Sequence, residues 1–523
     1  VIAEVTVSGE RLKAVQQEAL ALLHTDDVPA RLLAHDAALW GPDAEAEAAV
    51  RLGWLDAVEV SWRFVPALLE LRDALRADGV DRVVLCGMGG SSLAPEVICR
   101  TAEVPLTVLD STHPDQVRAA LSGDLTRTVV VVSSKSGGTV ETDSQRRAFV
   151  QAFTAAGIDA ASRIVVVTDP GSPFAQLAKD EGYRAVFLAD PHVGGRYSAL
   201  TAFGLVPSAL AGADVELLLD QAASFHRHLA EDDNAGLQLG AALGADGRDK
   251  IALDASASPL VGFGDWAEQL IAESTGKLGK GLLPVVVEAD APEVTHPPDD
   301  VHVVRIGGPA PTVGTSVTGN LGQQLLAWEY AVAVSGRLLG IDPFDQPDVE
   351  SAKTATRGLL EAQPGPEQPR FVERAVEVYG SASLLAGIST LEGAVAALLA
   401  TVPDRGYLAV MAYLDRLRDA GLSAVRAPLA RRLGRPVTFG WGPRFLHSTG
   451  QFHKGGPPVG SFLQVTGLVS RDLEIPGLPF SFGTLIAAQA AGDATVLADH
   501  GRPVLRLHLT RPHGVEQVQS VLS

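Results

Sequence analysis

Two short loops carry residue types suited to holding an anion. The first, Gly87-Met88-Gly89-Gly90-Ser91-Ser92, follows the apolar run VVLC and leads into a helix expected to start near Leu93. Glycines let the backbone approach an anion closely, a helix N-terminus offers free N–H groups, and Ser91 adds a hydroxyl donor. The spacing is neither GxGxxG nor a Walker A loop, which argues against a dinucleotide and against nucleoside triphosphate hydrolysis. The second loop, SSKSGGTVET (133–142), follows VVVV and opens another helix. Ser134, Ser136 and Thr139, with Lys135 among them, suit a phosphate monoester, whose oxygens accept many hydrogen bonds. The same residues are also ordinary helix caps. Two such loops on one sheet favour the phosphate.

A third segment, Gly194-Gly195-Arg196-Tyr197-Ser198, pairs glycines with an Arg that a backbone kink could aim into a crevice. In WAEQLIAESTGKLGKGLLP (266–284), Glu273 closes a helix before a Gly/Lys-rich turn, where a carboxylate could act as a general base near Lys277 or Lys280. Only eight of the 42 basic residues are Lys: Lys13, Lys135, Lys179, Lys250, Lys277, Lys280, Lys353 and Lys454. Their clustering in these segments suggests that they gather positive charge where an anion would enter.

The elements that must position these residues are legible in outline. Residues 1–78 read as Ala/Leu-rich amphipathic helices, with apolar residues at three- and four-residue spacing. From residue 82 the pattern becomes short β-branched runs alternating with helical segments: RVVLC (82–86), LTVL (106–109), TVVVVS (128–133), RIVVVT (163–168) and RAVFL (184–188). That alternation predicts a parallel sheet with crossover helices. Beyond a helical stretch at 214–246, further strands are expected at 251–255, 282–287, 301–306, 407–413, 436–441 and 462–467, interrupted by helices at 321–340 and 349–363. QPGPEQPR (363–370) is linker-like. The division expected is a helical segment over 1–78, a first α/β domain over 79–213, and a second over 214–523. The fold class is α/β, two doubly wound, mainly parallel lobes with added helices.

Composition excludes several roles. The chain has 523 residues, with 42 Lys plus Arg against 62 Asp plus Glu, hence a formal charge of −20. Such an acidic surface repels phosphodiester backbones, and no basic stripe offsets it, so no nucleic-acid partner is expected. Cys86 and Cys99 are too sparse for a disulfide framework or a four-ligand zinc site. No apolar run of membrane-spanning length appears, and the N-terminus lacks the pattern of a signal peptide. A cytoplasmic protein without a membrane partner is expected. The chain begins at Val1, which suggests a trimmed N-terminus.

The segments GMGGSSLAP (87–95), SSKSGGTVET (133–142), GGRYSALTAFGL (194–205), AESTGKLGKGLLP (272–284) and GIDPFDQPDVESAK (340–353) resemble, in order, the landmark segments of the glucose-6-phosphate isomerase family. LWGPDAEAEAAVRLGWLD (39–56) and FLHSTGQFHKGGPP (445–458) look like the isomerase half of bifunctional transaldolase/glucose-6-phosphate isomerase proteins, here without a transaldolase barrel ahead of it.

The resemblance implies two sugar-isomerase-type domains that interconvert glucose 6-phosphate and fructose 6-phosphate with no cofactor or metal. It places the substrate phosphate on Ser91, Ser134, Ser136 and Thr139, with Lys135 in the same cradle. It makes Glu273 the base that moves a proton between carbons 1 and 2, Arg196 the stabiliser of the enediolate oxygen, and Lys353 an aid to ring opening. It also implies a homodimer, because the family's ring-opening His comes from the neighbouring subunit. That His lies, in the family, between the base and the Lys segment. Here the interval holds His296 and His302, whereas the familiar His-Ser-x-Gly-Gln string is His447-Ser448-Thr449-Gly450-Gln451, beyond Lys353. His447 is the favoured candidate and His296 the alternative. Two other readings stay open: a sugar-phosphate sensor of the same fold without turnover, and an isomerase that also accepts mannose 6-phosphate.

Overall fold

The computed structural model describes residues 2–362, 365, 367–511 and 513–523. Three sheets organise these residues. The first runs, in spatial order, Thr107–Leu109, Arg82–Cys86, Thr128–Ser133, Ile164–Thr168 and Ala185–Leu188, every neighbouring pair parallel. Its central strands are buried along their whole length, which is why they read as unbroken Val/Ile/Leu runs rather than alternating ones. After Cys86 the chain turns to one side of the sheet, and after Ser133 to the other. The two strand ends therefore bracket a topological switch point, the place where parallel sheets open a crevice. The Gly87–Ser92 and 133–139 loops rise from those two ends.

The second sheet runs Glu4–Ser8, Gly314–Thr318, Val301–Ile306, Lys250–Asp254 and Leu283–Val287; the Glu4–Ser8 edge is antiparallel and the remainder parallel. The third runs Phe371–Glu373, Val376–Gly380, Val504–Leu509, Gly460–Gly467, Tyr407–Tyr413 and Val437–Trp441, with its last four strands parallel. The mainly parallel α/β class expected from the sequence is the one observed.

Two details differ from the expected organisation. Residues 214–523, read as one α/β domain, hold two sheets. Residues 1–78, read as helical, begin with a strand whose Glu4 to Ser8 pair with Thr318 to Gly314. The partner strand GTSVT has almost no apolar signal of its own, and its neighbours supply the burial. The expected linker at 363–370 falls partly outside the described residues, at 363, 364 and 366.

The third sheet packs on the second, and the segment between its Gly460–Gly467 and Val504–Leu509 strands packs on the first. Ile475, Phe482 and Leu485 join Val84, Val130 and Phe149 beneath the first sheet, while Tyr407 and Phe462 join Val285 and Val303 of the second. Among the described residues, no helix is long and apolar enough to cross a membrane.

Candidate active site

At the switch point, Gly89 adopts φ +57°, a left-handed conformation that favours glycine. A Cβ on Gly90 would lie 1.9 Å from the Gly195 carbonyl oxygen, so the Gly87–Ser92 loop rests directly on the loop that carries Arg196. Ser91 is partly exposed there. In the second loop, Ser134 Oγ accepts the Gly137 N–H at 3.1 Å and donates to Thr139 Oγ1 at 3.3 Å. Ser136 Oγ accepts the Gly138 N–H at 3.2 Å. Thr139 caps the Val140–Ala155 helix without a side-chain bond to its free N–H groups. Three hydroxyls thus lie on one short loop that leads into a helix N-terminus with free N–H groups, an arrangement suited to a phosphate dianion.

Glu273 sits near the end of the Phe263–Thr275 helix. Phe263, Trp266, Ala267, Leu270 and Ile271 form its buried stripe at helical spacing, and this stripe fixes its rotation. Gly276 ends it; a Cβ there would meet Phe452 Cα at 2.4 Å, so the residues following His447 close over the helix end. One turn before the base, Gln269 donates from Nε2 to Glu273 Oε2 at 3.0 Å and to the His447 carbonyl at 2.8 Å. Ser448 donates to Glu268 at 3.2 Å. Burial and the nearby Asp265 push the Glu268 carboxyl up to about 8.

Arg196 is 3% exposed. Its Nε donates to Ser274 Oγ at 2.8 Å, and its Nη2 to the carbonyls of Pro343 and Asp345 at 2.8 and 2.9 Å. Its Nη1 donates to Gln346 Oε1 at 3.3 Å and stands 3.9 Å from Glu273 Oε1. The guanidinium is therefore fixed by its back and sides, with one nitrogen presented beside the candidate base.

His447 Nε2 lies 3.0 Å from Oε1 of Glu141, a residue in the first turn of the helix that opens the phosphate loop. Burial opposes ionisation of Glu141, but the hydrogen bond and charge of His447, aided by Lys353, hold its carboxyl below the usual range. A carboxylate only accepts, so Nε2 carries a proton toward Glu141. Gln489 Nε2 donates to the same Glu141 oxygen at 2.8 Å, and Thr112 donates to Gln489 at 2.7 Å. A continuous polar chain thus runs from Glu273 through Gln269 and His447 to Glu141.

Contacts bring Arg196, Glu273 and His447 together, Glu141 ties His447 to the helix that follows Ser134, Ser136 and Thr139, and Ser91 lies in the loop that rests on the Arg196 loop. Lys353 is half-exposed beside Glu350 at 3.7 Å, and its charge reaches Glu141. Lys135 turns to Asp169 at 2.7 Å and to the carbonyls of Pro191 and Val193, so its ammonium is already engaged at the loop's flank.

The expectation that the scarce lysines gather positive charge at the site needs correction. Lys454 is buried against Asp493 at 2.6 Å, and Lys280 reaches the Leu339 carbonyl. Lys277 is buried against Asp345 and the Asp342 carbonyl. Burial and the Arg196 charge pull the Lys277 ammonium down to about 8. Desolvated ammonium groups need such partners, which leaves little free charge on Lys277 and Lys454, whereas Lys280 is exposed. His296 is exposed and bonds Thr295, while His302 is buried between Asp246 and Thr315; neither approaches the crevice through any of these contacts.

Sequence reasoning passed over Glu141, Gln269, Ser274, Gln346 and Gln489. Glu141 and Gln346 lie inside quoted motifs. Gln269 stands four residues before Glu273, a spacing that puts both on one helix face. Gln489 had no local signal.

A family model for phosphoglucose isomerase matches residues 74–244. The chain is 32% identical over 380 residues to a glucose-6-phosphate isomerase of Rubrobacter xylanophilus, covering 57% of this chain and 87% of that one. It is 31% identical over 355 residues to a probable glucose-6-phosphate isomerase of Haloarcula marismortui, covering 56% and 81%. Among solved structures, a glucose-6-phosphate isomerase from Chlamydia trachomatis superposes with a TM-score of 0.55 at 20% identity, over 70% of this chain and 90% of that one. A hypothetical protein from Thermus thermophilus gives 0.58 at 24%, over 68% and 100%. The two superpositions show the fold.

Proposed function

The chain belongs to the glucose-6-phosphate isomerase family, and we propose that it interconverts glucose 6-phosphate and fructose 6-phosphate by proton transfer through an enediolate, with Glu273 as the base. The observation that supports this reading is Glu273 beside the fixed Arg196 nitrogen, at 3.9 Å, with Gln269, His447 and Glu141 linking it to the helix that follows the hydroxyl loop.

Aldose–ketose isomerisation needs a base to take a proton alpha to a carbonyl, a cation where the oxyanion develops, and a handle remote from the reacting carbons. Ser91, Ser134, Ser136, Thr139 and the free helix N–H groups would hold the phosphate, so its binding energy serves to orient the sugar. Lys135 would join them only by exchanging its present partners. Glu273 would carry the proton between carbons 2 and 1 on one face of the enediolate. Arg196 would face the developing oxygen at little reorganisation cost, because its other donors are already satisfied. His447, its proton fixed by Glu141, would open the sugar ring, with Lys353 supplying positive charge from the exposed side. The protein is expected to work in the cytoplasm.

A coupled assay of fructose 6-phosphate conversion tests the proposal. Turnover by the wild type, with loss of about 10²–10⁴-fold in Glu273→Gln, is the expected result. A folded wild type that binds the sugar phosphate without turnover would favour a sensor instead.

A further inference from the structure

The third sheet bears on which chain completes the site. The Glu273 helix and the phosphate loops come from the parts of the chain before residue 290, whereas His447 comes from a segment between two strands of the third sheet. We propose that the third sheet is a permanent internal partner, delivering the ring-opening histidine to the Glu273 of its own chain. This rests on the function proposed above and departs from the neighbouring-subunit supply that the family resemblance implied.

Three observations point the same way. Gln269 holds the His447 carbonyl and the Glu273 carboxylate together within one chain, at 2.8 and 3.0 Å. A Cβ on Gly89 would lie 3.0 Å from the same carbonyl and 3.1 Å from His447 Cβ, so the phosphate-side loop leaves just enough space for this histidine.

The second is a buried ionic lock next to it. Arg444, three residues before His447, donates to Asp110 at 2.6 Å and to Glu96 at 2.5 Å, both from the first-sheet region. Arg416, from the third, donates to Glu96 at 3.1 Å. Separating the sheets would strand these charges away from their partners, and each would lose compensation it has while buried.

The third is apolar continuity. Ile475, Phe482 and Leu485 complete the core beneath the first sheet, and Tyr407 and Phe462 complete that of the second. Such interfaces resemble a domain interior more than a surface that opens to exchange segments with a second copy.

Co-expression of differently tagged chains tests the proposal, with folding of each variant checked by thermal melting and His447→Asn as a second substitution should His447→Gln melt early. Glu273→Gln chains mixed with His447→Gln chains are expected to show no more activity than either alone. Wild-type chains mixed equally with chains bearing both substitutions are expected to keep about half the wild-type activity per chain. Supply from a neighbouring subunit in randomly paired dimers gives about one quarter in both mixtures, and that result overturns the proposal. Full activity of His447→Gln alone also overturns it. Full activity of Glu273→Gln alone instead overturns the functional reading on which it rests.

Discussion

Glu329 faces the interior from the middle of the Leu321–Leu339 helix, and neither of its buried oxygens makes a hydrogen bond of good geometry among the described residues. Burial pushes its carboxyl well above the usual range, with the Ala199 backbone opposing weakly. A pKa raised on folding contributes stability that is complete below the unfolded value, near 4.5, and is lost as pH rises through the folded value. Glu329→Gln removes that loss. Urea titrations are expected to show the variant more stable than wild type by about 1–2 kcal/mol at pH 7, with the two converging toward pH 4.5. At this scale the sequence was most informative where chemistry constrains a short segment. Ser134, Arg196 and Glu273 stand in short segments whose pattern carries the family resemblance. Glu329 and Gln489 do not, because their environments are made by residues distant in the chain.

The elements meet with little space between them at the switch point. Gly90 lies against the Gly195 carbonyl, a contact that a methyl group would occupy at 1.9 Å. Gly90→Ala is expected to push the first phosphate loop away from the Arg196 loop, costing about 1–3 kcal/mol of stability. Because the two loops carry different parts of the site, kcat is expected to fall with KM rising, as read from initial rates. Strand runs such as TVVVVS and YLAVMAY were legible because burial on both faces demands continuous apolar side chains. The Glu4–Ser8 strand was not, since an edge strand needs little apolar content and its partner lies more than 300 residues away, and GTSVT, paired on both sides, carries too few apolar residues to show itself.

On the scale of the whole molecule, three sheets share cores, and buried ion pairs from Arg444 and Arg416 tie the first-sheet region to the third. Burial would raise the Glu96 carboxyl, but Arg444 and Arg416 hold it down at about 2. A pKa lowered on folding contributes stability present above the unfolded value near 4.5, which is lost as pH falls through about 2. Arg444→Met is expected to cost about 3–5 kcal/mol at pH 7, with the deficit relative to wild type shrinking as acid neutralises the stranded carboxylates; urea midpoints across pH 3–7 measure it. That the chain beyond residue 214 forms two sheets was not legible, because a second parallel sheet has the same local signature as an extension of the first. The same convergence frames the central claim, that Glu273 moves the proton. Deuterium incorporation at carbon 2 of glucose 6-phosphate, formed from fructose 6-phosphate in heavy water, reads that step directly. The wild type is expected to incorporate label during turnover, and folded Glu273→Gln to lose both turnover and label by about 10²–10⁴-fold. Wild-type rates of labelling in folded Glu273→Gln would contradict the account.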